Sequence, residues 1–120
     1  MRYKSKTASG HFYLVDSGET VAEYGMDVTF FYDTSLNAVG VKGSNTWTLS
    51  KKSGWKVDDW DYTDTISNQY VAQVGIFGLS KDNRHNNTAE IRVYCDHYGN
   101  ITLDIFDNHI GPYYCCNVGW

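Results

Sequence analysis

The stretch from Trp55 to Asp64, WKVDDWDYTD, gathers four aspartates and three aromatic rings within ten residues. Two kinds of chemistry use such a mixture. Asp58, Asp59, Asp61 and Asp64 are carboxylates of the type that hold calcium, because a hard cation takes several oxygen ligands. The stretch lacks the glycine and closing glutamate of an EF-hand loop, so calcium competes with a plainer reading, a solvated acidic edge strand whose charge resists aggregation. Trp55, Trp60 and Tyr62 offer the second chemistry: an exposed ring stacks on the apolar face of a sugar while nearby carboxylates accept its hydroxyl hydrogen bonds. The competing use of the same rings is packing in a core. On a strand, alternation puts Trp60 and Tyr62 on one face and Trp55 and Val57 on the other. It likewise pairs Asp59 with Asp61, and sets Asp58 opposite.

The other reactive residues are three cysteines and four histidines. Cys95 lies in AEIRVYCDHYGN, and Cys115 and Cys116 are adjacent near the end in GPYYCCNVGW. No CxxC pair or HxxxH spacing marks a zinc site. The contexts VYCDH and YYCCN match no nucleophile signature, and GxSxG does not occur. No catalytic residue is assigned, and no cofactor apart from the calcium just weighed.

The elements that must position these residues read as strands. No stretch keeps apolar residues at i, i+3, i+4 and i+7; short alternating runs recur instead. They include HFYLV, TVAEY, DVTFFY, NAVGV, TWTLS, WKVDDW, YVAQVGIFGL, AEIRVYC, ITLDIF and PYYCCNV. Breaks such as DSG, DTS, KGSN, KKSG, KDNRHNN and HYGN are rich in turn formers. The fold class expected is all-β, a single antiparallel β-sandwich of immunoglobulin-like or related type over residues 10–120, with a small β-barrel as the alternative. Residues 1–9 read as a flexible basic arm carrying Arg2, Lys4 and Lys6.

One hairpin can be specified by parity. A three-residue loop at His97-Tyr98-Gly99 pairs Cys95 with Ile101, Val93 with Leu103 and Ile91 with Ile105, which unites the apolar faces. Gly99 then takes the left-handed position such loops use. Cys95 points inward. In an extended YYCCNV, Cys116 shares its face with Tyr114 and Val118, so a Cys95–Cys116 disulfide is expected, with Cys115 outward; a strained Cys115–Cys116 bridge and three free thiols are the alternatives. The Cys95–Cys116 bridge would close a loop of about 20 residues and add roughly 3 kcal/mol.

The totals limit the function classes. At 42% apolar and 20% charged the chain is not a disordered one. A formal charge of −4 argues against a dedicated nucleic-acid binder. No apolar run approaches the ~20 residues of a membrane span. A disulfide implies an oxidising compartment, so secretion or a cell-surface location is expected, the leader being absent from this sequence; a cytoplasmic location is the alternative. The function expected is a non-enzymatic binding or interaction module, with a glycan or protein ligand held by Trp55, Trp60 and Tyr62. The alternatives are a small hydrolase with a cysteine or carboxylate site, and a structural or assembly protein.

Overall fold

A computed structural model describes the backbone of residues 1–109 and 114–119 and the side chains of residues 1–104. Every described element is a strand: β1 (Arg2–Leu14), β2 (Thr20–Asp33), β3 (Ala38–Ser50), β4 (Trp55–Ser67), β5 (Tyr70–Lys81), β6 (Arg84–Asp96), β7 (Ile101–His109) and β8 (Tyr114–Gly119). They form two four-stranded sheets, ordered β3-β2-β1-β8 and β4-β5-β6-β7, and every pairing is antiparallel. The arrangement is consistent with the expected β-sandwich. Its order is a meander in which β8 returns to β1, whereas immunoglobulin domains use Greek-key connections. Among the described residues no helix is long and apolar enough to cross a membrane.

The strands form because β-branched and aromatic residues alternate with polar ones, and the sheets assemble by burying one parity of each strand. On β2 the buried set is Ala22, Tyr24, Met26, Val28 and Phe30; on β6 it is Ala89, Ile91, Val93 and Cys95. With Ala8 and Phe12 of β1, Trp55 and Val57 of β4, and Val71, Phe77 and Leu79 of β5, these make one apolar cluster drawn from both sheets. Each large aliphatic or aromatic side chain so buried contributes roughly 1.5–3 kcal/mol.

Several of the predicted breaks are absorbed into long strands. KGSN is no turn: Lys42–Asn45 run through β3, and the irregularity is a shift of register at Thr29/Phe30, where Thr29 pairs Gly43 and Phe30 pairs Val41. Lys42 is the extra residue of that bulge, so a polar cluster that reads as a loop bends a strand instead. KDNRHNN shrinks to a two-residue turn, with Asp82 and Asn83 both at positive φ (50° and 66°), the hairpin geometry that matches sheet twist. Residues 2–9 are not an arm. They form the first part of β1, paired from Arg2↔Tyr32 to Ser9↔Gly25, because the facing half of β2 supplies a full ladder.

The β6–β7 hairpin has the register expected from parity, with Cys95↔Ile101, Val93↔Leu103 and Ile91↔Ile105. Gly99 sits at φ 85°, and a Cβ there would stand 2.6 Å from Tyr32 Cζ, so both backbone and space require glycine. Asp96 holds the turn: its Oδ1 accepts from the Tyr98 and Asn100 backbone N–H groups at 2.9 Å each. Burial pushes the Asp96 carboxyl up, but those bonds and that from the Asn100 side chain outweigh it and leave it below the ordinary value.

Candidate functional site

Strand β4 splits its residues by parity as the sequence implies. Trp55 and Val57 enter the core, at 4% and 7% exposure, while Trp60 and Tyr62 face outward at 57% and 37%. Trp55 is therefore not a ligand platform. Its ring belongs to the core, with Lys81 Nζ 5.3 Å from the ring centroid. Trp60 and Tyr62 stack on each other, centroids 5.3 Å apart and planes at 26°. Two residues apart on one strand, the rings stand against each other, and Trp60 keeps more than half of its surface open to solvent.

A shallow groove of about 520 Å³ runs beside Trp60 across β4, β5 and β6. Ile76 and Gly78 of β5 form its floor, and Lys56, Asp58, Ser80, His85 and Thr88 supply polar groups around it. The groove exists because Gly78 carries no side chain: a Cβ built there meets nothing closer than 3.9 Å. Within the groove Lys56 Nζ lies 3.6 Å from Asp58 Oδ1, and His85 Nε2 is 3.1 Å from Thr88 Oγ1.

The same outer face continues along the sheet. Pairing sets Trp60 beside Ile76 and Glu90, Tyr62 beside Val74 and Arg92, and Asp64 beside Ala72 and Tyr94. Val74 and Ala72 are fully buried yet lie outside the core cluster, so the aromatic layer covers them from the outside. Arg92 is the hub. It donates from Nε to Glu90 at 2.9 Å, reaches Asp64 at 3.5 Å and donates to the Tyr62 hydroxyl at 3.5 Å. The Glu90 hydrogen bond, first among these contacts, raises the guanidinium pKa further above its already high value, and a hydrogen bond with Tyr94 adds to it. Tyr94 in turn stacks with Tyr70, centroids 5.4 Å apart and planes at 15°.

The four aspartates do not converge. Asp58 and Asp64 share the outer face but stand six residues apart, about 20 Å along an extended chain, and are paired with Lys56 and Arg92 respectively. Asp61 faces the other way and accepts from Gln73 Nε2 at 2.8 Å and from the Ser44 hydroxyl. Asp59 has the opposite parity to Asp58 and pairs with Phe77 in the ladder. Among the described residues no three His, Cys, Asp or Glu side chains stand together as a metal site, and the calcium expectation is corrected on that geometry.

The predicted Cys95–Cys116 bridge is corrected as well. Cys95 is a buried free thiol, and the side chains of Cys115 and Cys116 lie outside the described residues. The backbone register decides the matter. Cys95 closes the hairpin whose Gly99 carbonyl accepts from Lys4 Nζ, whereas Cys116 pairs with Phe12. Lys4 and Phe12 are eight residues apart on β1, roughly 27 Å in an extended strand, against the ~4.4–6.8 Å that a disulfide spans. Parity matches faces but does not locate the two residues along the sheet. Cys95 is also poorly suited to nucleophilic chemistry: burial, then the neighbouring Asp96 charge, push the thiol up to about 11.

Ile76, Gly78, Arg92, Tyr94 and Tyr70 were missed as site residues in the sequence. The signal was present in parity, since all are even-numbered like Trp60 and Tyr62, but it becomes readable only once β4, β5 and β6 are known to be neighbours. No protein-family model, curated protein or solved structure matches this chain.

Proposed function

We propose that this protein is a non-enzymatic binding module that takes a carbohydrate on the outer face of β4, β5 and β6. One observation carries the reading: the stacked Trp60–Tyr62 pair is exposed beside a groove rimmed by hydroxyl, carboxylate, ammonium and imidazole groups. A sugar ring has an apolar C–H face and an equatorial fringe of hydroxyls, and this combination of flat ring and polar fringe complements both. Trp60 stacks against the ring. Asp58 and Thr88 accept hydroxyl hydrogen bonds, and Lys56 donates.

Packing beneath the rings supports the reading. Tyr62 rests over buried Val74 and is held by Arg92, so the platform is ordered before a ligand arrives, which lowers the entropic cost of binding. Isothermal titration against a panel of neutral oligosaccharides tests it. At least one binds the wild-type protein, and Trp60→Ala weakens that binding by roughly 30-fold or more, the loss of about 2 kcal/mol typical of an aromatic hot spot. Circular dichroism of the variant should be unchanged, because the Trp60 side chain is outside the core. Heats absent across the panel would remove the proposal.

A further inference from the structure

We infer that the ligand is an uncharged, extended saccharide chain, bound across two aromatic platforms with Arg92 between them. This rests on the carbohydrate reading above and goes further by fixing charge class and length. The second platform is Tyr70–Tyr94. Strand pairing puts Tyr94 on the same outer face as Tyr62, one row further along, and Tyr70 beyond it. From strand spacings of ~4.8 Å and a rise of ~3.4 Å per residue, the midpoints of the two ring pairs lie about 15 Å apart. A single sugar ring cannot touch both. Between them run Val74 and Ala72 of β5, both fully buried.

Arg92 stands between the platforms: it donates to the Tyr62 hydroxyl at 3.5 Å and lies two residues before Tyr94 on the same face of β6. The charge class follows from pairing. Arg92 is already matched by Glu90 at 2.9 Å and Asp64 at 3.5 Å, and Lys56 by Asp58 at 3.6 Å. A ligand carrying carboxylates or sulfates would have to break these pairs and would meet three acidic side chains. A neutral chain of hydroxyls meets donors and acceptors in balance, with no net charge to satisfy.

The experiment is titration of the wild-type protein with neutral cello-, xylo- and malto-oligosaccharides from disaccharide to hexasaccharide, and with oligogalacturonates as the acidic counterpart. Affinity for the neutral series that binds should climb with chain length to a plateau. Tyr94→Leu should lower hexasaccharide affinity roughly tenfold, within the range of an aromatic anchor, while leaving the disaccharide nearly unaffected. Tyr94→Phe, which keeps the ring, should retain most of the affinity. A disaccharide that binds as tightly as the hexasaccharide overturns the inference and leaves the Trp60 reading standing; oligogalacturonates binding more tightly than neutral chains overturn it also. If no saccharide binds the wild-type protein, both fall. Should Tyr94→Leu lose its fold, chain-length dependence in the wild-type protein decides alone.

Discussion

The ring of Tyr24 on β2 lies 4.6 Å, centroid to centroid, from the ring of Phe77 on β5, and this contact joins the two sheets. Phe12 of β1 also packs on Tyr24 at 4.9 Å, so three strands from both sheets meet in one aromatic cluster. Phe77→Ala should cost about 3–5 kcal/mol, because it removes a fully buried ring and leaves a cavity that flanking β-strands cannot collapse. Urea unfolding followed by fluorescence measures it. A loss below about 1 kcal/mol would mean that the sheets do not depend on this contact.

A second link between the sheets is polar. Gln73 of β5 is 3% exposed and donates from Nε2 to Ser44 Oγ of β3 and to Asp61 Oδ2 of β4, both at 2.8 Å. Its Oε1 accepts from the Thr63 hydroxyl at 2.5 Å. β3 and β4 belong to different sheets, and this network spans the seam between them. Gln73→Leu keeps the volume but removes three hydrogen bonds to side chains that solvent still reaches, so stability should fall by roughly 0.5–1.5 kcal/mol. Thr63→Val, at an exposed position, should cost less. Equal effects from the two substitutions would contradict the assignment of Gln73 as the centre of the network.

Cys95 gives a pH signature. Its thiol pKa is raised in the folded state from an ordinary 9.0 to about 11, chiefly by burial. In the unfolded chain the thiol ionises first, so the unfolded state binds fewer protons across that interval and stability falls as pH rises. The contribution is complete below 9.0 and gone above about 11. Comparing urea midpoints of the wild type and Cys95→Ala across this window isolates it: the wild type should lose more stability than the variant. Parallel curves would show that the thiol is not shielded. Mass spectrometry after alkylation should find the Cys95 peptide unmodified in the native protein and modified in denaturant.

Local rules made much of the fold legible. Parity predicted the Cys95↔Ile101 register, the left-handed Gly99 and the division of β4 into Trp55/Val57 and Trp60/Tyr62 faces. These outcomes depend on near neighbours, and a strand's period reports them directly. What failed needed long-range information. KGSN looks like a turn because polar residues and glycine mark loops, yet the same residues sit in β3, where a bulge accommodates Lys42. The Cys95–Cys116 pairing matched faces but not positions along a molecule 51 Å long. Trp55, equal to Trp60 in composition and context, was separated from it as a core residue only by knowing which face of β4 meets Phe77 and Leu79. The expected oxidising compartment rested on the Cys95–Cys116 bridge and goes with it.

The most direct test of the carbohydrate site is a two-dimensional NMR titration of isotope-labelled protein with the tightest-binding neutral oligosaccharide. The Trp60 indole N–H and the amides of Tyr62, Ile76 and Gly78 should shift together and saturate at one affinity, while Trp55 and the Cys95 hairpin stay in place. Shifts confined to the β2–β3 turn or the opposite sheet, with the Trp60 indole unmoved at saturation, would contradict it.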